Sequence, residues 1–303
     1  MKEAIKNRYD IVFLHDVKNG NPNGDPDAGN APRVDPDTDI GIITDVCTKR
    51  KIRNYVETVK GDAKGYRIYI KRGTALNATD NEAFESIGIS GASEMSNDAL
   101  KKAIKKSEKD IDTLVRDYLV DNFFDIRAFG AVVTTAMKCN LNCGQILGPV
   151  QFGFSESVDP VYPRKITVSR DAITKESDKD DKSSTFGDKW VIPYGLYRGE
   201  CFISANVAQK TTGFSEEDLE LFLDAMSHMY ENNHAAARGK MAVRKIIIFK
   251  HDTMLGNAPA HKLFDLVKVE KKPGVEIPRS YNDYDVSVDL ELLPKGVTCE
   301  IRE

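Results

Sequence analysis

A strand that runs into a long loop of turn-forming residues constrains this chain more than any other feature. Residues 9–17 carry Ile11, Val12, Phe13 and Val17, the side chains of a mostly buried strand. They lead into Lys18-Asn-Gly-Asn-Pro-Asn-Gly-Asp-Pro-Asp-Ala-Gly-Asn30. Glycine frees φ, proline fixes it, and Asn and Asp bond their own backbone, so the stretch is made of turns. It continues to about residue 41, longer than ordinary connections, which marks it as functional or disordered. The spacing then predicts a helix over 44–60. Thr44 can cap it, and Asp45 suits the positive end of its dipole. Ile52, Tyr55, Val56 and Val59 recur at helical spacing and form the expected buried face. Lys49, Arg50 and Arg53 fall on the opposite face. Like charges stacked there repel, and an anion laid across them would reverse the penalty.

The far end of the chain repeats the pattern. Residues 190–207 read as a strand broken by Gly195 and Gly199. Ser215 begins a helix with Asp218 three residues on, a variant of the capping box, and Leu219, Phe222, Leu223, Met226, Met229 and Tyr230 form its apolar stripe. Residues 245–250 are a short buried strand. Strand–helix–strand at both ends is the split βαβ arrangement of an α+β, ferredoxin-like sheet, the sheet of RNA-recognition modules. Between the ends, residues 61–122 read as an insertion. Its helical part, 94–119, is a solvated surface, since seven bases from Lys101 to Arg127 face six acids. Residues 123–137 return to strand character through Ile126, Phe129, Val132 and Val133. Residues 144–170 are extended, a candidate long hairpin, and 169–189 are polar and read as a flexible tip.

A chain of 303 residues buries roughly three quarters of its unfolded surface, so it needs no disulfide or metal to hold it. Its five cysteines form no disulfide framework. The longest apolar runs, such as 246–249, fall far short of the ~20 residues that cross a bilayer. The first residues lack an apolar secretory core. The expectation is a single elaborated cytosolic domain. Its net charge of −4 argues against a polyanion ligand only if charge is evenly spread, and it is not. Residues 44–72 hold nine bases against three acids, and 236–251 hold five bases and no acid. Residues 215–225 hold five acids and no base.

Most catalytic chemistry finds no pattern here. Gly20 to Gly24 follows a strand but matches neither phosphate-loop spacing. Cys139 and Cys143 lack a second pair for zinc, and the five histidines are dispersed. The loop acids Asp16, Asp25, Asp27, Asp35, Asp37 and Asp39 do not follow calcium-loop order. No cofactor and no metal are expected. What remains is a surface for a polyanion: Arg33 in the loop, Lys49, Arg50 and Arg53 on the helix, Arg127, and Arg164, Lys165 and Arg170 on the extended arm. Backbone contacts of this kind position a strand without reading its sequence.

Three sets of residues carry a resemblance. They are the block 9–30; Thr44-Asp-Val-Cys-Thr-Lys-Arg-Lys-Ile-Arg-Asn-Tyr55; and the short motifs Asp125-Ile-Arg-Ala-Phe-Gly130, Gly148-Pro-Val-Gln-Phe152 and Tyr194-Gly-Leu-Tyr-Arg-Gly199. In this order they resemble the backbone subunit of type I-C CRISPR Cascade surveillance complexes. The resemblance spans essentially the whole chain. It implies a modified RNA-recognition palm (1–60, 123–149 and 190–303) with helical fingers within 61–122 and an extended thumb hairpin within 150–189. It implies copies stacked head to tail on a CRISPR RNA in the prokaryotic cytoplasm, which present the guide for pairing with a target DNA strand. The implied partners are the guide-processing or capping subunit, the large subunit and a recruited helicase-nuclease, with no membrane. Guide-binding positions carry over to Asn21, Asn23, Arg33, Lys49, Arg50 and Arg53, and Arg127, Gln145, Arg164 and Lys165 are added to them beyond what the resemblance gives. Open head-to-tail stacking fits segregated charge, so the acidic 215–225 helix is expected to face a basic surface of the next copy.

A second class is enzymatic. Related backbone subunits of RNA-targeting complexes cut bound RNA with a first-loop aspartate and a metal, and Asp16, Asp25 or Asp35 is the candidate here. The DNA-targeting type that the sequence resembles is expected not to cut.

Overall fold

The computed structural model describes residues 3–107, 110–170 and 185–303. Its centre is an antiparallel sheet whose strands run in the order Val297–Arg302, Lys240–His251, Tyr9–Gly20, Thr185–Ile203, Ser155–Pro160, Ile40–Ile43. Val150–Phe152 and Arg164–Arg170 pair with further parts of Thr185–Ile203. The chain is thus a mixed α/β fold with a large antiparallel sheet.

The first strand is central because both its faces are apolar. Ile11 and Phe13 point to one side and pack with Ile52 and Val56 of the helix Asp45–Lys60 and with Leu219, Phe222 and Met226 of the helix Glu216–His228. Val12 and Leu14 point to the other side, against Leu263 and Phe264 of a short helix and Tyr284 of the ribbon Val267–Lys271/Tyr284–Val288. A strand covered on both faces reads as a continuous apolar run rather than an alternation. The helix Glu216–His228 carries the full capping box that Ser215 and Asp218 announce, and its apolar stripe is buried.

The insertion differs from the solvated surface expected of it. Its helices Leu76–Glu85, Asn97–Lys106 and Ile111–Asn122 surround a second core of Tyr69, Phe84, Leu100, Val115 and Leu119. Phe123, Ile126, Val133, Cys143 and Ile146 join it, so part of 123–149 packs with the insertion. The mixed charges lie on the outer faces of these helices and hide the inward-facing apolar positions, Phe84, Leu100, Ile111, Val115 and Leu119 among them, from a composition count. The strand expected over 123–137 is instead a helix, Phe124–Phe129, then a short strand, Gly130–Val132, then a helical turn, Thr134–Met137. All six residues of Phe124–Phe129 are buried, Asp125 and Arg127 among them, so polarity marks no outward face and leaves no period by which to tell helix from strand.

Arg164–Arg170 pairs with residues 185–191 as a projecting ribbon. The flexible tip expected over 169–189 is therefore strand at its two ends, and 171–184 lies outside the described residues. Among the described residues no helix is long and apolar enough to cross a membrane.

Candidate nucleic-acid interface

The long loop is held by its own side chains. Asn21 donates its backbone N–H to Ala237 O (2.8 Å) and its Nδ2–H to Asn30 O (2.7 Å). Asn23 Oδ1 accepts from both the backbone N–H and the hydroxyl of Thr44, each at 2.9 Å. Thr44 therefore occupies the cap position without bonding the helix through its side chain, because its hydroxyl is turned to Asn23. Arg33 is fixed by its backbone, donating to Asn23 O (3.1 Å) and accepting from Ile42 N–H (2.9 Å). A close backbone crossing joins this loop to the turn before Lys240. A Cβ on Gly20 would sit 1.8 Å from Arg238 O, and Gly239, at φ +61°, would put one 2.4 Å from Asn19 O. Only glycine permits the approach.

That crossing brings two basic segments together that are nearly 200 residues apart in sequence. Lys51 is buried on the helix, and its ammonium donates to Asn233 Oδ1 (3.1 Å). Arg238 donates to Asn233 O (2.7 Å). Arg50 is exposed on the same helix, and neither Arg50 nor Arg238 has a carboxylate partner among the described residues. Arg33 pairs at 3.4 Å with Asp25. Cys47 reports the concentration of charge: burial pushes its thiol up, while Lys51, Arg238, Arg33 and Arg50 all pull it down. Burial pushes Lys51 down to about 8; the Cys47 thiol opposes that, and Arg238 and Arg50 add to it. Beside the group, Lys49 pairs with Asp45 (2.9 Å) and lies over the Phe129 ring. Two buried polar atoms here, Asn21 Oδ1 and Arg33 Nε, have no partner among the described residues. The arrangement is a cluster of cations around a hydrogen-bonded loop, with Asp25 at Arg33 and Asp45 at Lys49, and it suits a phosphate chain.

Sequence reasoning missed Lys51 and Arg238. The basic run 236–251 was visible, but nothing local said that Gly20 and Gly239 would clasp it to the loop. Lys51 lies one residue from the expected buried face and was assigned to neither side.

Two of the expected residues do other work. Arg53, expected on the exposed face, is buried: its Nε–H donates to Asp125 Oδ2 (2.7 Å), and its guanidinium lies over Phe129. Asp125 also accepts from the N–H groups of Tyr69 and Ile70, so this pair ties the helix to the insertion. Val59, expected inside, is half exposed. Asp125 and Phe129 cover the Arg53 side of the helix, so its buried face extends from Ile52 and Val56 to Arg53. Arg127 is buried in a bidentate pair with Asp218 (2.9 and 2.8 Å) and donates to Val120 O and Gly65 O. Gln145 is exposed in a separate cleft with Asp112, Arg116 and Lys210. Arg164 and Lys165 sit on the ribbon, Lys165 paired with Asp188 (2.6 Å).

The acidic helix is largely engaged within the chain. Asp218 holds Arg127, Tyr66 and Tyr55 donate their hydroxyls to Glu217 and Asp224 (2.6 Å each), and Arg302 reaches Glu220 (3.3 Å). Asp16, Asp25 and Asp35 are also engaged, each with its own partners. Asp16 is buried, accepting from Arg244 (3.0 Å) and Tyr194 (3.2 Å). Arg244 reaches it from an irregularity in strand register beside Leu14 and His15. Asp25 accepts from the Asp27 N–H. Asp35 accepts from the Asp37 N–H and the Thr38 hydroxyl, which hold its carboxyl below the usual range. His15 is sealed among Phe13, Tyr197 and Tyr230, where burial pushes it down to about 3.

The family model described as CRISPR-associated protein Cas7 matches residues 7–289, and the chain belongs to that family. A CRISPR-associated protein Cas7 of Haloferax volcanii is 25% identical over 296 residues, an alignment that covers 93% of this chain and 81% of the relative. Among solved structures, the chain is similar to one from a CRISPR RNA-guided surveillance complex, pre-nicking, at 15% identity, 80% of this chain, 78% of that one and a TM-score of 0.49. Another, from a CRISPR RNA-guided surveillance complex, has 15% identity, 80% and 68% coverage and a TM-score of 0.43.

Proposed function

We propose that this chain is a non-catalytic backbone subunit of a type I-C CRISPR RNA-guided surveillance complex, which grips the sugar–phosphate chain of a guide RNA and leaves its bases free to pair with target DNA. The observation that carries the reading is the cluster of Arg33, Arg50, Lys51 and Arg238, in which Arg33 alone has a carboxylate partner, Asp25, among the described residues. Such a site binds backbone and leaves sequence to base pairing. The sheet supports it. The strands Lys240–His251, Tyr9–Gly20, Thr185–Ile203 and Ser155–Pro160 lie side by side. Numbered as successive palm strands they run 4-1-3-2, the order of a ferredoxin-like palm. In this reading the insertion with the second core is the fingers, and the ribbon carrying Arg164 and Lys165 is the thumb. Asn21 and Asn23 shape the loop, Lys49 flanks the cluster, and Arg53 and Arg127 brace the palm against the fingers. Copies stack head to tail on the guide, beside a guide-processing subunit and a large subunit, and a helicase-nuclease is recruited for cutting.

The test is native mass spectrometry on a defined guide transcript. The wild-type chain loads in a fixed, ordered stoichiometry. The double reversal Arg50→Glu, Arg238→Glu folds but does not load; loading equal to wild type would overturn the proposal. The enzymatic alternative gains nothing from Asp16, Asp25 and Asp35, each held by its own partners. Loaded complex given complementary RNA and magnesium is expected to leave that RNA uncut.

A further inference from the structure

A second feature lies away from the cation cluster, where the projecting ribbon leaves the sheet. Three segments meet there around a cavity of about 420 Å³: the approach to the ribbon with Tyr162 and Arg164, the long strand at Pro193, and the loop after Lys271 with Ile277 and Arg279. The volume lies within the range of small-molecule sites. Its floor is already satisfied, because Asp159 is taken by Lys271 (2.9 Å) and by the Tyr284 hydroxyl (2.8 Å). Tyr194 donates its hydroxyl to Asp16 (3.2 Å).

The mouth is not satisfied. Arg164 and Arg279 are both exposed, and neither guanidinium has a partner among the described residues. Arg279 is placed by its backbone: its N–H and that of Ser280 both donate to Asp283 Oδ2, at 2.7 and 2.9 Å. The lining shared with the arginines holds the carboxylate of Glu276 and large side chains that the fold leaves in water, Tyr162 at 63% and Ile277 at 64% exposure. An aromatic face stacks on any nucleobase, and a guanidinium takes phosphate oxygens in bidentate fashion. A bare anion would need the arginines but not the apolar walls. An aliphatic ligand would need the walls but not the arginines.

We propose that this cavity is a single-nucleotide site, in which Tyr162 stacks on the base and Arg164 and Arg279 hold the phosphate. The nucleotide is either free or one unpaired residue of an RNA strand, and the site does not depend on the cation cluster at the first helix.

The experiment is equilibrium dialysis of the full chain with UMP, AMP and inorganic phosphate, joined to photo-crosslinking with single-stranded RNA. Either nucleotide should bind once per chain and more tightly than phosphate. Tyr162→Ala and Arg279→Glu should each weaken it about tenfold, some 1.4 kcal/mol. Tyr162→Phe should bind as wild type, since the ring and not the hydroxyl is used. Both positions are at the surface, so melting temperatures should hold. Binding of mononucleotides identifies a free ligand. Crosslinks to Tyr162 from RNA alone identify a strand residue, and either supports the site. Phosphate binding as tightly as nucleotide, insensitivity to both variants, crosslinks from Tyr162 to a second copy of the chain, or neither binding nor crosslinks would each overturn it. The Arg50→Glu, Arg238→Glu chain separates this site from the proposed guide site, since it should lose loading on the guide yet retain mononucleotide.

Discussion

Lys51 carries the charge that the fold holds least firmly. Burial, with Arg238 and Arg50 adding to it, pushes its ammonium down to about 8 from an ordinary 10.5. Between those two values the unfolded chain binds the extra proton, so this group's contribution to stability rises with pH across that window. A phosphate beside Lys51 restores the proton, so binding takes one up. Affinity for single-stranded RNA is therefore expected to fall as pH rises from 7 to 9, and Lys51→Met should flatten that part of the profile. Titrations at fixed ionic strength check it, and a wild-type profile already flat would contradict the assignment. Arg127 makes the opposite case, a cation fully committed to the fold. Arg127→Met leaves Asp218 buried without its partner and should cost about 3–5 kcal/mol, read from a urea midpoint. Asp218 also closes the capping box of its helix, through the Ser215 N–H at 3.0 Å, so both functions suffer at once. A loss below about 1 kcal/mol, the size of a surface pair, would show that the pair is not what fastens helix to insertion.

At the scale of elements, the glycine crossing is the joint on which the site depends. Gly20→Ala forces a methyl against Arg238 O, so the 237–239 turn must move away from the loop. The expected result is a chain that folds with a lowered melting temperature and whose RNA affinity drops several-fold, like that of an Arg238 variant. A mutant with wild-type affinity would show that the crossing does not place Arg238. The strands and helices at the two ends were legible in the sequence because each obeys a local rule: Ser215 and Asp218 sit three apart, Phe222 and Met226 four apart, and the loop after Gly20 is punctuated by proline. The helix Phe124–Phe129 was not legible, because six buried residues leave no period to read. Arg53 looked like a surface cation because its partner, Asp125, lies 72 residues on in the sequence.

At the scale of the molecule, a net charge of −4 conceals a basic locus whose members come from both ends of the chain. Sequence order sets Arg33 and Arg50 near each other, but only the sheet, with Tyr9–Gly20 beside Lys240–His251, brings Arg238 to them. For that reason the loop-and-helix half of the site could be read in advance and the Lys51–Arg238 half could not. The acidic helix shows the same limit. Its carboxylates divide in two: Asp218 and Asp224 are answered by Arg127 and Tyr55 of the same chain, while Glu216, Glu217 and Glu220 stand exposed, and the run alone does not tell the two sets apart.

The central claim is that these cations grip a phosphate chain. The salt dependence of affinity for a single-stranded guide tests it most directly, because each neutralised phosphate contributes about −0.7 to the slope of log affinity against log salt. The wild type should give a steep negative slope, and Arg50→Glu, Arg238→Glu a shallower one by about two contacts, with unfolding midpoints alike. Equal slopes for the two chains would contradict the account.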